Sequence, residues 1–458
     1  MTRRGFLGAA AALQVGRRLG AYQAGAYPAK DPAREMAAVL KRIKAPKFAN
    51  RVFDITRYGA KQGSSNDSTE AIRKAIEACA AAGGGRVVVP AGEFSTGAVH
   101  LKSHVNLHVE QGATLFFSTD PKQYLPLVYT RFEGTECMNY SPLIYAWEQT
   151  GIAVTGLGML DGQADQTHWW DWRARASSRE LVGMGEKDVP VEQRVFGEGK
   201  FLRPNFFQPY RSANILIEGV SIRNSPMWEL NPVLCRNVTV RGVKIQSHGP
   251  NNDGCDPESS KDVLVEQCVF DTGDDCIAIK SGRNRDGRRI NVPAENIVVR
   301  DCTMKDGHGG VSLGSEGSGG IRNIFVDRCR MDSPHLNYAM RIKTNTFRGG
   351  VTENVYFTNI TVGQVSDSVL EVTYFYPEGD DREGRGGPFK PVIRNATLEN
   401  VTSQKSRRAL NLRGYDNAPI TGIRLEHCSF DNCAEGNVIE HVDGLQIEDV
   451  KRNGQPME

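Results

Sequence analysis

A nine-residue pattern keeps returning in this chain from Asn214 onward. It reads Asn214-Ile-Leu-Ile-Glu-Gly-Val-Ser-Ile222, Asn237-Val-Thr-Val-Arg-Gly-Val-Lys-Ile245 and Asp262-Val-Leu-Val-Glu-Gln-Cys-Val-Phe270. Further copies begin at Asn296, Asn323 and Asn354, weaker ones at Asn395 and Gly422, and an earlier one covers 151–160. Starts are separated by 23, 25, 34, 27, 31, 41 and 27 residues. Within a copy, apolar residues alternate, a corner intervenes, and alternation resumes. Period two broken by a corner means short strands, not helices.

One such unit cannot bury its apolar face alone, whereas stacked units share a continuous interior. The pattern therefore predicts an all-β, single-domain, right-handed parallel β-helix with coils about 4.8 Å apart. One coil position holds Val220, Val243, Cys268, Cys302, Cys329, Ile360, Val401 and Cys428. A thiol exchanging with Val and Ile reads as a free, packed hydrophobe. With no C-x-x-C pair, the ten cysteines suggest neither a disulfide framework nor zinc. The recurrent Asn predicts an amide ladder at a corner. Upstream, 68–82 reads as a helix with Ile72, Ala75, Ile76 and Cys79 on one face, ended by Gly83-Gly84-Gly85 and placed to cap the open end of the solenoid. Residues 51–450 form the expected solenoid, interrupted by an insertion over 163–212 that carries His168-Trp169-Trp170-Asp171-Trp172.

A net charge of +2 makes nucleic acid a poor partner, and any attraction for anions must be local. No apolar run is long enough to span a membrane. The chain opens Thr2-Arg3-Arg4-Gly5-Phe6-Leu7, followed by a weakly apolar stretch and Ala24-Gly25-Ala26. These are the parts of a signal peptide of twin-arginine type, expected over 1–26, with a linker over 27–50 and export from a bacterial cytoplasm. Oligomeric state is not legible.

Polar residues without a core role fall late in successive coils: Asp253, Asp274 and Asp275, His308, Arg341 and Lys343, then Tyr374. Stacking lines them along one groove, a shape suited to a linear polymer. Close carboxylates suit glycoside hydrolysis, because like-charged neighbours raise the pKa of one while another ionises to activate water. Arg341 and Lys343 supply cations for a sugar carboxylate.

Asn251-Asn252-Asp253-Gly254, Gly273-Asp274-Asp275-Cys276, Gly307-His308-Gly309 and Arg341-Ile342-Lys343 resemble, in order, the four signature motifs of glycoside hydrolase family 28, the polygalacturonases. The resemblance covers about 52–442 and includes Tyr58-Gly59-Ala60-Lys61; Asn252 stands where the family usually has Thr. It implies Asp274 as general acid, Asp253 and Asp275 holding and activating water with inversion at the anomeric carbon, and His308 tuning the acid. It further implies Arg341 and Lys343 binding galacturonate, Tyr374 (with Tyr376 as rival) beside them, a structural Asp256, and no metal or other cofactor. The partner is then a pectic polysaccharide. Inverting geometry calls for carboxyls about 6.5–9.5 Å apart.

Other readings stay open at this stage. Asp253 and Asp256 beside glycines can cap turns, and Asp274-Asp275 can bind Ca²⁺. A calcium-dependent pectate lyase or a non-catalytic carbohydrate-binding solenoid would share the stack, and rhamnogalacturonan or xylogalacturonan hydrolases would share the site. Arg283, Arg285, Arg288 and Arg289 form a charged loop leaving the catalytic coil, whose default is a solvated face with one or two reaching substrate. Insertions at 163–212 and 283–294 could wall one groove end, the basis for expecting exo action.

Overall fold

A computed structural model describes residues 31–457, so the expected export segment over 1–26 lies outside the described residues. The repeats form a parallel β-helix. Each copy supplies two strands of one 25-stranded sheet, such as Ala213–Glu218 and Ser221–Arg223, bent at Gly219-Val220. Equivalent residues stack in register: Ile215, Val238, Val263, Ile297, Ile324, Val355, Ala396 and Ile423 form one inward column. A further face runs alongside, as a six-stranded sheet that includes Ile277–Ile279, Gly307–Gly314, Leu336–Lys343 and Ser368–Thr373. Bridges from Phe207 to Leu230, Leu230 to Cys255 and Cys255 to Ile277 extend that face toward the N-terminus.

The interior follows from the alternation. The residues from Val220 to Cys428 that share one coil position are all buried, and every cysteine is free and buried. Each contributes roughly 2 kcal/mol by leaving water. At the coil corners the asparagines adopt left-handed backbone, with φ of 57° at Asn323 and Asn354. Their amides bond to one another: Asn323 Nδ2 donates to Asn296 Oδ1, and Asn354 Nδ2 to Asn323 Oδ1, both at 3.2 Å. Asn tolerates this conformation better than other side chains with a Cβ.

The capping helix is present. Helix α1 (Pro32–Arg42) precedes it, and α2 (Thr69–Ala81) buries Ala71, Ile72, Ala75, Ile76 and Cys79 over the first coils. Gly84 has a φ of +100°, and a Cβ there would lie 2.5 Å from the His104 carbonyl, so glycine is required where the chain turns into the stack.

Two expectations need correction. The described part of the expected linker, from residue 31 on, is not simply a linker, because α1 docks on the outer face of the long sheet, with Met36, Val39, Leu40 and Ile43 against Leu264, Val298, Phe325 and Tyr356. The charged loop after the catalytic coil contains a short helix, α4 (Asn284–Ile290), preceded in the chain by α3 (Ser178–Glu186) of the insertion. Leu181 of α3 joins Phe132, Phe196, Leu202 and Trp228 in a second, smaller core, which fastens the insertion to the stack beside the groove. Among the described residues no helix is long and apolar enough to cross a membrane.

Candidate active site

The register that builds the core also assembles the acids. Cys255 pairs with Ile277, which sets Asp253 and Asp275 side by side on neighbouring coils, and the Gly254 N–H donates to the Asp275 carbonyl at 3.0 Å. One oxygen from each of Asp253, Asp274 and Asp275 lies within 4.8 Å of the others. This approach of the nearest oxygens is tighter than the carboxyl spacing of about 6.5–9.5 Å named for inversion. Its cause is the stack itself, since residues in equivalent positions on adjacent coils sit about one strand spacing apart.

Each acid has its own support. Asp275 is fully buried; Ser312 Oγ donates to its Oδ1 at 2.8 Å and Lys343 Nζ to its Oδ2 at 2.6 Å. Asp274 Oδ1 meets His308 Nδ1 at 2.9 Å, with the imidazole half exposed. Asp253 is buried, with Lys280 Nζ 3.4 Å from its Oδ2. A Cβ at position 309 would fall 2.8 Å from Asp275 Oδ1, so only glycine lets that strand pass. Asn252, where the sequence departs from the resembled motif, is a fully bonded bracket. Its Oδ1 accepts from Ser247 Oγ and the Gly249 N–H, and its Nδ2 donates to the Ser225 and Met227 carbonyls.

The surroundings separate the titrations of these groups. Burial, then the negative charge of Asp274, pushes Asp253 up to about 8 against the pull of Lys280. Burial would also raise Asp274, but its hydrogen bond to His308 and the charges of His308, Lys343 and Lys280 bring it down to about 2. That same hydrogen bond raises His308 above the ordinary imidazole value. Each of the three carboxylates thus has a basic group beside it: Lys280 at Asp253, His308 at Asp274 and Lys343 at Asp275.

Arg341 stands at the margin. Its Nε donates to Glu371 at 2.5 Å, and its guanidinium lies over the Tyr338 ring and 5.9 Å from that of Tyr376. Tyr374 does not join the site. It continues the inward alternation of Leu370 and Val372, is fully buried, and accepts the Ile393 N–H at 2.8 Å. Its rival Tyr376, beyond the end of that strand, lines the pocket with the three acids.

Two depressions meet at Asn251 and Asp274. The smaller, about 220 Å³, is bounded by Lys280, Arg283, Arg348, Tyr376 and Glu378. The larger, about 690 Å³, is bounded by Trp170, Arg173, His248 and His308. Of the four loop arginines only Arg283 reaches the pocket, clamped by Glu133 at 3.0 Å and Glu378 at 3.0 Å. Arg285 pairs with Asp188, Arg288 bonds the Phe347 and Arg348 carbonyls, and Arg289 holds Glu136 and Asp286. Trp169 is core and Trp172 packs on Phe201, so Trp170 alone of the three faces the groove. Lys280, Glu316, Arg348 and Glu378 were not singled out from the sequence. Strand parity carried a signal for Lys280: Ile277 and Ile279 join the interior cluster, which turns Ala278 and Lys280 to the groove side.

A parallel β-helix carrying an acid triad at the junction of two compartments defines a solenoid enzyme of the polysaccharide-cleaving class. The chain belongs to glycoside hydrolase family 28: the sequence model described as "Glycosyl hydrolases family 28" matches residues 79–446. It is 41% identical to the exopolygalacturonase of Thermotoga maritima over 93% of this chain and 97% of that one, with a TM-score of 0.88. It is 29% identical to a probable polygalacturonase of Vitis vinifera, spanning 78% of this chain and 69% of that protein. It is 28% identical to an exo-poly-alpha-D-galacturonosidase of Dickeya chrysanthemi, spanning 78% of this chain and 62% of that protein.

Proposed function

We propose that this glycoside hydrolase is an exo-acting polygalacturonase that removes single galacturonate residues from chain ends of pectic polysaccharide. The observation that carries this reading is the meeting of a small, walled pocket and a larger depression at Asp274. The smaller volume, about 220 Å³, is on the scale of one hexuronate ring rather than a chain. The terminal ring occupies that pocket and the remaining chain lies in the larger one. In this reading Arg283, ion-paired with Glu133 and Glu378 on the pocket lining, closes the far end to a longer chain.

In the empty site His308 and Asp274 share one proton as an ion pair. A ring entering the pocket excludes water, which penalises the two charges and favours transfer of the proton across the 2.9 Å hydrogen bond to Asp274. Asp274 then protonates the leaving glycosidic oxygen as the bond from the anomeric carbon breaks. A water bonded to Asp253 and Asp275 attacks that carbon and passes its proton to Asp275, whose Oδ2 Lys343 meets at 2.6 Å. Two acceptors within 4.8 Å suit a single bridging water, which reaches each at about 2.7 Å. Attack from the face opposite the leaving group inverts the configuration. In this reading Lys343 and Tyr376, which line the small pocket, meet the sugar carboxylate and ring, with Arg341 at their margin.

Action on a polymer agrees with export through the twin-arginine-like segment over 1–26, which belongs to the same proposal. The test is product sizing on polygalacturonate over time. Saturated monomer from the first minutes supports the reading; early mid-length oligomers overturn the exo assignment, and unsaturated products lost on adding chelator would identify a lyase.

A further inference from the structure

Lys280 lies at the floor of the small pocket and is almost fully buried. Its Nζ is 3.3 Å from Glu316 Oε2, 3.4 Å from Asp253 Oδ2 and 3.6 Å from Asp256 Oδ2, and 4.4 Å from the centre of the Trp228 ring. One ammonium therefore answers three carboxylates. Glu316 has a second cation in Arg348, at 3.6 Å. Among the described residues Asp253 and Asp256 have no ion pair other than that with Lys280. Both oxygens of Asp256 and Oδ1 of Asp253 are buried without a hydrogen-bond donor. Asp274 and Asp275, by contrast, each have a cation that meets no other member of the triad.

We infer that Lys280 is a positioning residue for the hydrolytic water: by dividing its charge between Asp253 and Asp256 it fixes where Asp253 points and how many protons that pair retains. The inference rests on the proposed hydrolysis for its kinetic meaning. Two buried carboxylates beside one ammonium cannot both ionise cheaply, so the pair keeps a proton until Lys280 favours its release. The high titration of both groups, driven first by burial, agrees with this arrangement. Other charges converge on the same spot: Glu229 from the preceding coil, Asp274 and Asp275 from the next, Lys343 beyond, and Arg203 from the insertion. None of these contacts both members of the pair as Lys280 does.

The test compares the pH dependence of kcat and of kcat/KM on oligogalacturonates for wild type, Lys280→Met, Lys280→Arg and Asp256→Asn. Methionine keeps the stem over Trp228 and removes the charge. Its expected effects are a fall in kcat of about 10- to 100-fold and an acidic limb moved up by about one pH unit or more, with KM changed less than about threefold because the ammonium is already shared by Asp253, Asp256 and Glu316. Arginine should return the limb toward wild type. Asparagine at 256 frees the ammonium for Asp253, so its limb should move to lower pH. Coincident profiles for wild type and Lys280→Met, or a raised KM with an unmoved profile, would overturn the inference, as would an upward shift in Asp256→Asn. A ¹³C titration of labelled aspartate carboxyls in wild type and Lys280→Met reads the same shift without turnover. An enzyme inactive on galacturonan would defeat the proposed function yet still decide the role of Lys280 by that titration, where an unmoved carboxyl overturns it.

Discussion

Lys343 Nζ lies 2.6 Å from Asp275 Oδ2, although 68 residues separate the two in the chain. Both are buried, so each is the other's principal compensation for lost water. Removing one partner of such a pair strands a buried charge, at a cost on the order of 3–5 kcal/mol. Lys343→Met should therefore lower stability by about 3 kcal/mol and cut turnover at least about 100-fold, as measured by denaturant unfolding and initial rates. Unfolding that matches wild type would mean that the pair contributes no stability, and initial rates that match would mean that it contributes nothing to turnover.

Tyr374 and Tyr376 should separate cleanly. Tyr374→Phe leaves the Ile393 N–H buried without its acceptor, costing about 1–3 kcal/mol, with kcat/KM kept within about twofold. Tyr376→Ala, in the pocket wall, should leave the melting temperature nearly unchanged and lower kcat/KM about tenfold or more. Paired thermal and kinetic measurements on both variants check this.

The His308–Asp274 pair predicts a bell in stability against pH. His308 titrates above its ordinary 6.5 when folded, so its contribution is complete below that pH and is lost as the pH rises through the raised value. Asp274, drawn from 3.8 to about 2, contributes above 3.8 and loses it as the pH falls toward 2. The pair therefore stabilises most between about pH 4 and 6.5. The melting temperature of wild type minus that of His308→Gln, followed across pH, should peak in that interval; a flat difference would contradict the coupling.

Helix α1 offers a test away from the chemistry. Val39 is buried against Leu264, Val298, Phe325 and Tyr356. Val39→Asp should undock the helix and lower stability by about 2–3 kcal/mol, while kcat stays within about twofold because no α1 residue borders the groove. Urea unfolding with parallel assays distinguishes this from a loss of activity.

The stack, its corner asparagines and the capping helix were legible because a short repeat forces every copy into the same geometry. Asp253, Asp274, Asp275, His308 and Lys343 were legible because register converts coil position into spatial neighbourhood, and the comparisons place the chain in the family its motifs resemble. Tyr374 was misplaced because counting from a coil start does not reveal side-chain parity, which turns it inward with Leu370 and Val372. Glu378 escaped because a lone charge in a loop carries no periodic signal, whereas Lys280 was within reach of the parity set by Ile277 and Ile279. Helix α1 did carry one: Met36, Val39, Leu40 and Ile43 lie at helical spacing.

The whole account turns on Asp274 as the group that delivers the proton to the departing chain. Reducing-sugar release from polygalacturonate by Asp274→Asn, set against wild type at equal folded concentration, measures that contribution directly. The expected result is a loss of about 10³-fold or more with the melting temperature preserved; hydrolysis within a few-fold of wild type would contradict it.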